Sequence, residues 1–207
     1  VASDMPAILE HTRNIAFLEP GWMAIVNESG YSAKTVIGEP VSSETHNIPW
    51  DPVAAEKGEY RHFMQKEIHE QVRAITDTIG GRVDFRNGSV TLPELHLTEA
   101  SVESIERIVI TACGTAAHAG LVGKTLIEAL ARIPVEVSIA SEFRYADPIV
   151  NDRTVVLAIS QSGETADTLA AMAEGRGRGA RLWSIVNVIG SQAMRMADGC
   201  IPMQAGP

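Results

Sequence analysis

The chain is poor in cysteine, poor in aromatic residues and short of positive charge, and each shortage removes a class of function. Two cysteines in 207 residues, Cys113 and Cys200, cannot build a disulfide framework. Neither has metal-ligand spacing to the other or to the six histidines, so no metal is expected. Such sparing use of thiols fits a reducing compartment, and the expected location is cytoplasmic. Lysine and arginine number 17 against 26 aspartates and glutamates, a formal net charge of −9. A nucleic-acid backbone would be repelled over much of that surface, so no nucleic-acid partner is expected. A small phosphorylated ligand stays within reach, because a few local amides and hydroxyls hold it whatever the total charge. No apolar run approaches the roughly 18 residues that cross a bilayer. The opening Val1-Ala2-Ser3-Asp4 also lacks the basic and apolar regions of a secretory signal. No membrane partner is expected.

What is present is an ordinary globular composition, 45% hydrophobic and 21% charged, which predicts an ordered core over most of the length. The length suits one domain of about 100 to 150 residues plus a smaller piece. From Asn14 to Val41, apolar stretches at Ile15 to Leu18, Trp22 to Val26 and Thr35 to Ile37 are separated by the turn formers Pro20-Gly21, Ser29-Gly30 and Gly38-Glu39-Pro40. This pattern predicts a β-meander belonging to a larger sheet. Asn47 to Gly58, with Pro49 and Pro52, has neither helical nor strand period and is expected to be a linker. Met64, Ile68, Val72, Ile75 and Ile79 then recur every three or four residues before Gly80-Gly81, which predicts an amphipathic helix over about 60–79. Asp84 to Glu94 reads as a loop with a turn at Asn87-Gly88.

From Arg107 the pattern changes to apolar strands alternating with helical stretches. The predicted strands are Arg107 to Ala112, Val135 to Ile139, Thr154 to Ile159, Leu182 to Asn187 and Cys200 to Met203. The helix between the first two carries Val122, Leu126, Ala129, Leu130 and Ile133 on one face, and another begins at Thr165 with Leu169, Met172 and Ala173. Continuous apolar strands separated by helices imply a mainly parallel sheet covered on both sides, so the expected fold is a doubly wound α/β domain of five strands.

Ligands in such sheets collect at the carboxyl ends of the strands. Two of those ends are rich in small and hydroxyl residues: Cys113-Gly114-Thr115 and Ser160-Gln161-Ser162-Gly163-Glu164-Thr165. The second offers three hydroxyls, a glycine suited to a tight turn and the start of a helix, whose free amides and partial positive charge suit phosphate. The plainer reading is that Ser162 or Thr165 only caps the helix. Cys113 reads as a small core residue, His118 as a hydrogen-bonded structural histidine, and Glu164 as an acid placed for a helix dipole. Trp22 and Trp50 read as packing residues.

Ser160-Gln161-Ser162-Gly163-Glu164-Thr165 resembles the SxSGxT signature of SIS (sugar isomerase) domains, in the SQSGET form of the glutamine:fructose-6-phosphate aminotransferases. Ala112-Cys113-Gly114-Thr115, Ala140-Ser141-Glu142-Phe143-Arg144-Tyr145 and Tyr60-Arg61-His62-Phe63-Met64-Gln65-Lys66-Glu67-Ile68 resemble further segments of that family. The resemblance implies a C-terminal piece of an N-terminal nucleophile glutaminase domain over 1–47, an interdomain linker with a helix over 48–96, and a first SIS subdomain over 97–207. It implies a chain concerned with fructose 6-phosphate or glucosamine 6-phosphate in hexosamine synthesis, with no cofactor, and a homodimer through SIS subdomains in the intact protein. Carried over residue by residue, it nominates Thr115, Ser160, Gln161, Ser162 and Thr165 as substrate-binding. The family's first loop usually reads CGTS, whereas Ala116 follows Thr115 here, so one expected hydroxyl is missing. Weakened binding follows, since one neutral hydrogen bond contributes about 0.5–1.5 kcal/mol.

No catalytic residue carries over. The family's nucleophile is an amino-terminal cysteine, whereas this sequence opens on Val1, and Lys34, Lys57, Lys66 and Lys124 match none of its catalytic positions. The expectation is therefore a binding part that is inactive alone. A non-catalytic SIS sensor of sugar phosphates is the alternative, and a stand-alone phosphosugar isomerase a third.

Overall fold

The computed structural model describes residues 1, 2, 8, 11–48 and 57–206. Contacts divide the chain into two units, Val1–Lys66 and Glu67–Gly206.

In the first unit, β1 (Asn14–Ala16) pairs antiparallel with β5 (Thr45–Asn47). β2 (Trp22–Asn27), β3 (Gly30–Thr35) and β4 (Pro40–Val41) form a separate antiparallel sheet. The meander therefore differs from the sequence expectation at both ends. Ile15 belongs to another sheet, and the third apolar stretch is a turn, with Val36 and Ile37 exposed. The strand lies instead on Gly30-Tyr31-Ser32-Ala33-Lys34-Thr35, in which small and polar residues around Tyr31 give no apolar run. Its hairpin is set by Asn27, whose Oδ1 accepts from the Ser29 amide at 3.0 Å and turns the chain at once. Ile15, Ala33 and Ile48 are buried and Trp22 is half-buried. Trp50 and most of the expected linker lie outside the described residues.

Helix α1 (Phe63–Ile79) covers the predicted amphipathic stretch. Its apolar stripe is exposed at Ile68, Val72 and Ile75. After it come a small hairpin, β6 (Val83–Asp84) with β7 (Ser89–Val90), and a 3-10 turn at Pro93–Leu95, where the sequence suggested only loop. Arg82 holds this region together. Its guanidinium donates to the carbonyls of Thr78 and Pro202 and, at 2.7 Å, to Glu94, whose carboxyl is thereby held below its ordinary value. A short helix α2 (Glu99–Glu103) follows, started by a reciprocal cap between Thr98 and Ser101.

The second unit is built on β8 (Arg107–Ala112), β9 (Val135–Ile139), β10 (Thr154–Ser160), β11 (Arg181–Val186) and β12 (Gly199–Pro202), each within a residue of the predicted strand. All four pairings are parallel and the order is β12-β11-β10-β8-β9. Alternate residues feed two cores. Val109, Val156, Ala158, Leu182 and Val186 pack with α4 (Ala140–Phe143), α5 (Ala166–Gly177) and α6 (Gln192–Met196). Ile108, Ile110, Val155 and Leu157 pack on the other face with Ile127 of α3 (Gly114–Leu130). The doubly wound parallel sheet is thus present. Fully buried Leu182 and Met172 each contribute about 1.5–3 kcal/mol of transfer free energy.

α3 meets the sheet through small residues rather than through the apolar face its sequence suggests. Ala117 and Gly120 are buried, and a Cβ on Gly120 would stand 2.9 Å from Ile110 Cγ2, so the helix sits as close as a glycine allows. Val122, Leu126 and Leu130 point outward and are exposed.

Candidate functional site

The strand order sets the site. From β8 the chain passes through α3 to β9 at the sheet edge, then crosses back through α4 to β10 on the other side of β8. The connections leaving β8 and β10 therefore depart in opposite directions and open a crevice between adjacent strand ends. The register pairs Ala112 with Ile159, which places Cys113 and Ser160 side by side at the next step. The two Gly/hydroxyl segments picked out from the sequence thus meet at the switch point of the sheet, with neighbouring strands about 4.8 Å apart.

The Ser160–Thr165 turn is organised from within. Ser160, at the end of β10, is buried, and its Oγ accepts from the Gly163 amide at 3.0 Å and lies 3.3 Å from Thr165 Oγ1. Ser162 Oγ accepts from the Glu164 amide at 3.2 Å. Gly163 has φ +67°, and a Cβ there would lie 2.1 Å from Ser191 Oγ, so conformation and space both demand glycine. Thr165 occupies the N-cap position of α5, yet its side chain makes no capping bond. The first helical bond runs from Leu169 N–H to Thr165 C=O, so the amides of Ala166, Asp167 and Thr168 precede the ladder at the end where the helix dipole is positive. The plain capping explanation of Thr165 is therefore not what its side chain does.

Of the five residues nominated from the sequence, four share this turn. Gln161 has an exposed side chain, while its carbonyl accepts from the amides of Asn187 and Val188 at 3.1 and 3.3 Å. Ser162 and Thr165 are half-buried at the surface of the turn. Thr115 stands exposed in the first turn of α3, next to half-buried Ala116. The first segment touches α5, where Thr168 Oγ1 lies 4.0 Å from Cys113 Sγ.

Three surrounding residues have partners that the sequence did not reveal. Glu164 was assigned to the dipole of its own helix, but its Oε1 accepts from the Gln192 amide of α6 at 2.7 Å. Asp167 pairs with Arg144 from the end of α4 at 3.0 Å, and Arg144 also lies 4.8 Å over the Tyr145 ring. Both acids near the turn are thereby engaged by partners distant in sequence. Away from the strand ends, an open depression on the β6–β7 hairpin is lined by residues 81–86, 89 and 91. Among the described residues no helix is long and apolar enough to cross a membrane.

The SIS domain family model matches residues 102–207. The glutamine–fructose-6-phosphate aminotransferase (isomerizing) of Symbiobacterium thermophilum is 52% identical over all 207 residues, which make up 34% of that protein. The enzyme of the same name from Caldanaerobacter subterraneus is 50% identical over the same span and share. The chain thus spans about a third of the length of the relatives it matches. Among solved structures, the C-terminal domain of glucosamine-fructose-6-phosphate aminotransferase from Francisella tularensis superposes with a TM-score of 0.65 at 37% identity. That match covers 73% of this chain and 42% of the other.

Proposed function

Because the chain belongs to the SIS domain family, we propose that it is the sugar-phosphate-binding part of a glutamine:fructose-6-phosphate aminotransferase. On this reading, fructose 6-phosphate or glucosamine 6-phosphate lies in the crevice between the β8 and β10 strand ends. Its phosphate meets the leading amides of α5 and the hydroxyls of Ser162 and Thr165, with Gln161 and Thr115 at the rim and Ser160 shaping the turn from below. Residues 1–47 are then the end of a glutaminase domain, 48–96 a linker, and 97–207 the first SIS subdomain. The observation that carries the proposal is the juxtaposition of two glycine and hydroxyl turns at the switch point, one of them leading into a helix whose N-cap side chain leaves its amides free.

This part binds but does not convert. None of the family's catalytic residues carries over to this sequence, and Glu164 Oε1 accepts from the Gln192 amide. The exposed stripe of Val122, Leu126 and Leu130 supports association of SIS subdomains in a homodimer. Titration calorimetry with fructose 6-phosphate and with glucosamine 6-phosphate tests the cradle. Ser162→Ala is expected to weaken binding about two- to tenfold, the loss of one hydrogen bond, whereas equal affinities of wild type and variant would remove the cradle.

A further inference from the structure

We infer that Glu164 is a positioning residue of the anion-binding turn: its carboxylate fastens the turn to the start of α6 and directs its own charge away from the ligand. The inference rests on the cradle reading above and adds a residue which that reading leaves without a role.

The outer side of the turn is held by a row of amides from one segment, residues 187–193. Asn187 and Val188 donate to the Gln161 carbonyl, Ala193 donates to the Gly163 carbonyl at 3.0 Å, and Gln192 donates to Glu164 Oε1 at 2.7 Å. Three of these attachments use backbone carbonyls of the turn, and one uses a side chain. That one is Glu164, so it is the attachment a substitution can release. Ser191 fills the remaining space against Gly163, buried and with its Oγ unpaired, so the segment cannot come closer to compensate.

The same contact resolves an electrostatic difficulty. A carboxylate within the turn would repel an arriving phosphate. Bound to the Gln192 amide, its charge is partly neutralised by a charge-assisted bond to the helix that follows β11, on the opposite side of β10 from β8. Asp167, one helical turn further on, is engaged in the same sense by Arg144. A base abstracting a proton from the ligand would need the opposite arrangement, with the carboxylate oxygen turned toward the crevice.

The test is calorimetric titration of fructose 6-phosphate into the full-length protein that carries this chain, comparing wild type with Glu164→Ala, Glu164→Gln and Ser162→Ala. Glutamine keeps an acceptor oxygen for the Gln192 amide, whereas alanine does not. Glu164 is exposed, so the effect is screened, and Glu164→Ala is expected to weaken binding about three- to tenfold. Glu164→Gln is expected to stay within about twofold of wild type. Rescue by glutamine marks positioning through the acceptor. The inference is overturned if Glu164→Gln is as damaging as Glu164→Ala. It is equally overturned if Glu164→Ala binds as tightly as wild type, or more tightly, while Ser162→Ala weakens. Unchanged binding in all three variants brings down the cradle itself and Glu164's role with it.

Discussion

Replacing Gly163 by alanine isolates the geometry on which the turn depends. Two costs add. A φ of +67° places an alanine in the left-handed region, at about 1–2 kcal/mol. The new Cβ would also stand 2.1 Å from Ser191 Oγ and 2.5 Å from Ser191 Cβ. The nearer atom could rotate away, but the Cβ moves only with its backbone, and overpacking of this kind costs about 1–3 kcal/mol. Gly163→Ala is therefore expected to destabilise the α/β unit by about 2–5 kcal/mol. The two costs separate in a double variant. Ser191→Gly removes the clash and leaves the strained φ. By itself it is nearly silent, because the Ser191 side chain makes no capping bond and its hydroxyl has no partner, and serine to glycine at an N-cap costs only a few tenths of a kcal/mol. Gly163→Ala with Ser191→Gly is expected to recover about 1–3 kcal/mol of the loss. Urea unfolding in a Trp22→Phe, Trp50→Phe background, followed by the half-buried Trp183 of β11, gives the three differences at constant m-value. A Gly163→Ala penalty below about 1 kcal/mol, or a double variant no better than the single, would refute the account of why glycine stands there.

Other expectations follow from particular contacts. Ala116→Ser, which restores the hydroxyl usual in related first loops, is expected to tighten fructose 6-phosphate binding up to about tenfold, read by the same calorimetry. Arg82 holds the Glu94 carboxyl below its ordinary value of 4.5. The stability from this pair is therefore full above that pH and is lost as pH falls through the depressed value. Glu94→Gln should accordingly flatten the acid limb of the stability profile below pH 4.5 and leave it unchanged between neutral pH and that point. Burial raises the Cys200 thiol, so Cys200 should react with a thiol reagent only after urea is added, while half-buried Cys113 is labelled in the folded chain.

The five parallel strands are legible because each is an uninterrupted apolar run of strand length, the pattern that two-sided burial produces. The turn after β10 is legible for a similar reason: its glycine and three hydroxyls fall within the six residues Ser160–Thr165, so they are neighbours in the chain as well as in space. What escapes the sequence is whatever depends on long-range partners. Glu164 looks like a dipole acid of α5 until the structure brings Gln192 beside it, and Asp167 gives no hint of Arg144. The β3 strand is hidden because Ala33 is its one buried side chain, so no apolar alternation shows, although backbone pairing with β2 is complete. The α3 face is misread for a subtler reason. Periodicity counts large apolar residues, whereas close approach to the sheet is made by Ala117 and Gly120, which score as nothing.

Hydrogen–deuterium exchange on the full-length protein, with and without saturating fructose 6-phosphate, tests directly whether an anion rests on the leading amides of α5. The account predicts slowed exchange in peptides covering Ser160–Leu169, with a smaller effect over Cys113–His118. Protection confined to the hairpin depression at residues 81–91, or unchanged exchange over the Ser160–Leu169 segment at saturation, would contradict it.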